Sequence, residues 1–188
     1  MRDRLFAVQC LLFPSLLIGF AQPLEEGRTV HLRGRNFAIQ LVEPEGWILD
    51  TTAAVQLANF ILYPNGEDWR SAPSLISVRL EPRRSNQTVE DYVKIISQAF
   101  EENCPFGEYA ARESDIDSRF KLFDFNCPKR QQEILAITSV PEFFVNISLS
   151  SQRPEILKEH FSAFQTVLES FEWQQDLTQP DLIIPKRH

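Results

Sequence analysis

The sequence predicts an α+β domain built on antiparallel strands, and three observations carry that reading. Phe143, Val145, Ile147 and Leu149 alternate with Phe144, Asn146 and Ser148, the period of a strand with two different faces. Phe120–Phe125 and Gln132–Ser139 precede it, separated by short polar connections and Pro141-Glu142, so the three strands read as an antiparallel meander. Two apolar stripes recur at helical spacing. One is Val89, Tyr92, Val93, Ile96 and Phe100, and the other is Leu157, Phe161, Phe164, Leu168 and Phe171.

Taken in order, Thr29–Arg33 is a strand with Val30 and Leu32 on one face, and Gly34-Arg35 turns it towards Phe37–Val42. Glu43-Pro44-Glu45-Gly46 stops that second strand, and Trp47 follows as a side chain that folding must cover. Val55–Tyr63 is apolar and closed by Pro64-Asn65-Gly66; Glu67–Pro73 is a loop. Leu75–Leu80 is a strand, ended by Pro82-Arg83-Arg84-Ser85-Asn86. Thr88 supplies a helix N-cap, with Glu90 and Asp91 in the first turn where the helix dipole favours acids. This helix is expected to run to about Glu102. Glu108–Ser118 is polar and carries no clear periodicity. Pro154 opens the last helix, expected to end near Trp173, and 174–188 reads as a C-terminal tail.

The 188-residue length suits a single domain, and hydrophobic and charged contents of 43% and 24% are those of a globular chain. A formal net charge of −7 disfavours nucleic acid and anionic lipid as main partners. Residues 1–21 read as a signal peptide: Arg2 and Arg4, an apolar run, then Gly19-Phe20-Ala21 with small residues at the cleavage site. The expected protein is therefore exported, periplasmic or secreted, with one globular domain over 22–173 and no membrane span after cleavage. Cys104 and Cys127 then lie in an oxidising compartment and are expected to pair, with Cα atoms under about 7 Å apart.

Phe37-Ala38-Ile39-Gln40-Leu41 leading into Pro44-Glu45-Gly46-Trp47, the Ile76–Leu80 strand and the Thr88–Phe100 helix carry a family resemblance. The alternating Phe143–Leu149 strand and the Phe161–Phe171 helix complete it. The chain resembles the PsbP-like family, whose fold is shared with Mog-type Ran-binding import factors and DcrB-like bacterial envelope proteins. The resemblance implies a central antiparallel sheet with helices on both faces, an α/β/α sandwich. It also implies a non-enzymatic protein that works by binding other proteins. Residues 1–21 lack a serine-rich transit peptide and twin arginines, which favours a bacterial envelope member over a photosystem subunit.

Catalytic and phosphate-binding motifs are missing from the sequence, so the expectation is a protein with no catalytic residues, no cofactor and no metal. His31 and His160 read as surface or boundary residues. Glu113, Asp115 and Asp117 alternate, but their spacing matches no calcium loop, and they read as a solvated segment. Asn86-Gln87-Thr88 and Asn146-Ile147-Ser148 match the glycosylation sequon without significance in a bacterial protein. Arg79, Arg83 and Arg84 are the basic cluster offered for docking an acidic partner or an anion, since guanidinium groups bind carboxylates bidentately; the plainer reading is a solvated strand end on an acidic surface. Phe144 is expected to lie under a helix on the second sheet face. An exported accessory protein acting through protein–protein contacts is the leading expectation. The alternatives are an envelope carrier of a small ligand or lipid, using a pocket between helix and sheet, and a hydrolase without a recognisable motif.

Overall fold

A computed structural model describes residues 27–33, 37–50, 60–113, 116–128 and 130–175. The expected signal peptide, the turn at Gly34-Arg35, residues 51–59 and the tail beyond 175 lie outside the described residues.

The strands are β1 (Thr29–Arg33), β2 (Phe37–Val42), β3 (Trp47–Asp50), β4 (Phe60–Pro64), β5 (Ser74–Pro82), β6 (Glu108–Arg112), β7 (Lys121–Asn126), β8 (Gln132–Ser139), β9 (Phe143–Ser151) and β10 (Glu172–Gln175). The helices are α1 (Val89–Asn103), α2 (Pro154–Glu159) and α3 (Phe161–Ser170). All strand pairs are antiparallel, and they form two sheets rather than one. A three-stranded sheet has the order β1-β2-β10, and a seven-stranded sheet the order β3-β4-β5-β9-β8-β7-β6. The class is α+β, as expected.

Alternation along the central strands sorts side chains into separate apolar clusters. Ile76 and Val78 of β5, Ile134 and Ala136 of β8, and Val145, Ile147 and Leu149 of β9 join the main core with α2, α3 and the small sheet. The intervening positions Leu135, Ile137 and Phe144 join Phe125 under Val89, Tyr92, Val93, Ile96 and Phe100 of α1. Phe144 is fully buried and stacks on Tyr92, ring centroids 4.4 Å apart. The expectation that α1 covers this residue is met.

Sequence and local structure agree closely at α1. Thr88 Oγ1 accepts the Asp91 N–H, and the Asp91 carboxylate accepts the Thr88 N–H, both at 3.1 Å. This reciprocal cap holds the Asp91 carboxyl below the usual carboxylate range, chiefly through the backbone bond from Thr88. Gly46, at φ 73°, completes the turn that brings Trp47 into β3, a conformation glycine adopts without a side-chain clash.

Two helix expectations change. The last helix is interrupted at His160, whose ring is held between Ser74 Oγ, 2.6 Å from Nδ1, and the Trp47 ring, 5.2 Å away. It also ends at Ser170 rather than near Trp173. Phe171 turns extended, and its carbonyl accepts a 2.8 Å bond from Arg119 Nη1. The chain then pairs with β2, placing Trp173 against Phe37 at 4.7 Å. Ser170 Oγ accepts the Val42 N–H at 2.9 Å, which fastens α3 to the same small sheet.

Candidate docking edge

Among the described residues β6 is the last strand of the large sheet, paired only with β7. Glu108 through Ala111 are exposed and Arg112 is half-buried. An edge strand keeps unpaired backbone donors and acceptors, a template for an added strand unless it is blunted.

The chain enters this edge through a tightly built turn. The Gly107 N–H donates to the Cys104 carbonyl at 2.8 Å. A Cβ at Gly107 would lie 2.6 Å from the Phe100 ring and 2.9 Å from Cys104 Sγ, so the close approach requires glycine. Cys104 and Cys127 are bonded, Cα atoms 5.9 Å apart, inside the expected limit. Arg130 Nη1 donates to the Asn103 carbonyl at 2.9 Å, tying the same helix end to the β7–β8 connection. Against this anchored base, Phe106 is 87% exposed and Tyr109 43%. Tyr109 lies on Phe125, centroids 5.8 Å apart, so its ring is positioned although one side faces solvent.

The opposite face of the edge borders a groove of about 660 Å³ between the β6–β8 end of the sheet and α2. Arg112 Nε donates to Asp124 at 3.1 Å, and the guanidinium sits over Phe161 at 5.1 Å. Ile134, Leu157 and Phe161 supply apolar surface, while Asn126, Gln132 and Lys158 make the walls polar.

Glu133 is a half-buried acid of β8 that lines this groove. Burial pushes its carboxyl above the usual carboxylate range, and a hydrogen bond with Ser148 offsets this in part. Ser148 Oγ in turn lies 3.0 Å from Ser77 Oγ. Nearby on β9, Asn146 donates to the Tyr92 hydroxyl at 2.7 Å, so this sequon asparagine is committed to the α1 interface.

The arginines offered for docking are not one free patch. Arg79 is ion-paired with Glu81. Arg83 reaches the turn after β8, donating from Nη2 to the Pro141 carbonyl at 2.9 Å. Only Arg84, exposed, has no side-chain partner among the described residues. Asp117 is clasped by Arg119, whose guanidinium holds it below the usual carboxylate range; Glu113 is exposed, and Asp115 lies outside the described residues. Among the described residues no group of acids, histidines and cysteines has metal-binding geometry, and no helix is long and apolar enough to cross a membrane. His31 is exposed. His160 pairs with Ser74, but that serine is 2% exposed, so the contact ties the α2–α3 junction to β5.

Phe106, Tyr109 and Arg112 were not singled out by the sequence. The one signal was Tyr109-Ala110-Ala111, a small apolar interruption of a polar stretch.

No family model and no curated protein matches the chain. Solved structures do. The Saccharomyces cerevisiae Ran-binding protein Mog1p aligns at 14% identity with TM-score 0.50, over 78% of this chain and 94% of that one. A point mutant of the protein Mog1 aligns at 15% identity with TM-score 0.50, over 78% and 95%. The fold is Mog1-like. A solution structure of cyanobacterial PsbP from Synechocystis sp. PCC 6803 aligns at 13% identity over 82% of this chain and 98% of that one, with TM-score 0.45.

Proposed function

We propose that this protein is an exported, non-enzymatic accessory protein of the cell envelope that binds a partner protein along β6. The occupant is an extended, alternately apolar segment of the partner, added as a strand. The observation that carries the reading is the open β6 edge with Phe106 and Tyr109 exposed on an anchored base. Strand addition draws affinity from main-chain hydrogen bonds and specificity from pockets for alternate side chains. Here one face of an added strand would meet Phe106 and Tyr109, and the other the groove beside Arg112 and Phe161.

Export and an envelope setting resembling DcrB-like proteins are part of the same reading, supported by the basic–apolar–small order of residues 1–21 and the Cys104–Cys127 pair. So is the α/β/α layering, supported by the separate clusters under α1 and under α2–α3. Mog1p, described as Ran-binding, is a protein of this fold that binds another protein. A small-ligand carrier is the second reading, favoured by the groove volume alone.

Phe106→Asp and Tyr109→Asp test the proposal. Each should abolish co-purification of the partner from native envelope while leaving the melting temperature within about 2 °C, as surface changes do. Retained partner in both variants overturns it.

A further inference from the structure

A second pocket, away from β6, has an opposite electrostatic character. It has a volume of about 380 Å³ and lies between the loop before β5 and the end of β9. Arg70 and Arg153 both line it, and no carboxylate among the described residues does. In a chain of net charge −7, two uncompensated guanidinium groups facing one hollow are notable.

The floor and the rim use their polar groups differently. On the floor, Ser74 Oγ is bonded to His160 Nδ1 at 2.6 Å, and Ser151 Oγ donates to the Pro73 carbonyl at 2.7 Å while accepting the Arg153 N–H at 3.0 Å. These bonds stay inside the fold and hold the pocket's shape. On the rim, the Arg153 guanidinium, Gln131, Gln152 and Ser150 have no side-chain hydrogen bond among the described residues. Arg70 is held over Trp69 at 4.8 Å, a cation–π contact that leaves its N–H groups unspent. The nearest acid in sequence, Asp68, accepts the Arg70 backbone N–H at 2.9 Å and is outside the lining.

We propose that this pocket binds a phosphate group through Arg70 and Arg153. Guanidinium forks match phosphate oxygens bidentately. The carboxamides and Ser150 add donors in further directions, which suits a tetrahedral oxyanion better than a planar carboxylate. The phosphate belongs to a soluble phosphate ester or to a lipid headgroup, and this site is independent of the β6 reading.

The test is an amide NMR titration of the full chain with inorganic phosphate at constant ionic strength, with sodium chloride as the control. Expected are saturable shifts centred on residues 69–72 and 150–153, with at least tenfold weaker binding in Arg70→Gln and Arg153→Gln. Both variants should fold with a melting temperature within about 2 °C of wild type, since neither guanidinium forms an ion pair or hydrogen bond among the described residues and the Arg70 contact with Trp69 is an exposed one. Shifts that never saturate, that chloride reproduces, or that survive both substitutions overturn the proposal. Co-sedimentation with phosphatidylglycerol–phosphatidylcholine vesicles then separates the sources. Pelleting that phosphate competes away assigns a lipid headgroup, and phosphate binding without pelleting assigns a soluble ester.

Discussion

Breaking the Cys104–Cys127 bridge should weaken the protein and loosen β6 more than any other strand. The bridge joins residues 23 apart in sequence. For that loop length the chain-entropy model gives about 3 kcal/mol of stabilisation. At roughly 2–4 °C per kcal/mol for a domain of this size, the melting temperature should fall by about 6–12 °C. The bridge lies where α1 ends without a basic residue in its last turn and where Gly107 has no space for a side chain. Among the described residues β6 gains support from one neighbouring strand only, so little else there holds it. Urea unfolding should be compared for oxidised protein, reduced protein and the Cys104→Ala/Cys127→Ala variant, with the last two in agreement. Hydrogen exchange should accelerate across Glu108–Arg112 while β9, paired on both sides, stays protected. A loss below about 1 kcal/mol, or unchanged exchange in β6, would refute the argument that the bridge anchors this edge.

Phe144→Ala should cost about 3–5 kcal/mol in equilibrium denaturation, because it empties a fully buried site beneath Tyr92; a loss under about 1 kcal/mol would mean α1 does not cover that face. Glu133→Gln should change the pH dependence of stability. A raised folded-state pKa contributes stability that is fully present below the ordinary glutamate value and is lost as pH rises through the raised one. The variant should therefore gain on wild type at neutral pH, with the difference shrinking on acidification; a constant difference across that window would contradict burial of the acid. Sequencing of exported protein should begin at Gln22, and retention of Leu11–Phe20 would sink the signal-peptide reading.

Much of the fold was legible because burial writes the pattern. β9 lies between two strands with both faces covered over most of its length, so its alternation of Phe143–Leu149 is strong. α1 announces itself through the Thr88–Asp91 cap and its apolar stripe. β6 is the reverse case. A strand exposed at four of five residues has no buried face to impose a period, so the segment most available to a partner was the least readable. β10 was hidden because Phe171 continues the helical spacing of α3, although its backbone has already turned extended. The division into two sheets rests on β2 choosing β10, a partner about 130 residues away in sequence, and no local signal encodes that choice. Arg79 and Arg83 looked available because Glu81 and the Pro141 carbonyl reach them only after β5 and the β8–β9 turn are in place.

The most direct measurement is site-specific photo-crosslinking in the native envelope, with the photoreactive residue placed at Phe106, at Tyr109 and, as a control, at exposed His31 on β1. One partner should crosslink from both Phe106 and Tyr109, through an extended and alternately apolar segment, with no such adduct from His31. The same adducts at all three positions, or none at Phe106 and Tyr109, would contradict partner binding along β6.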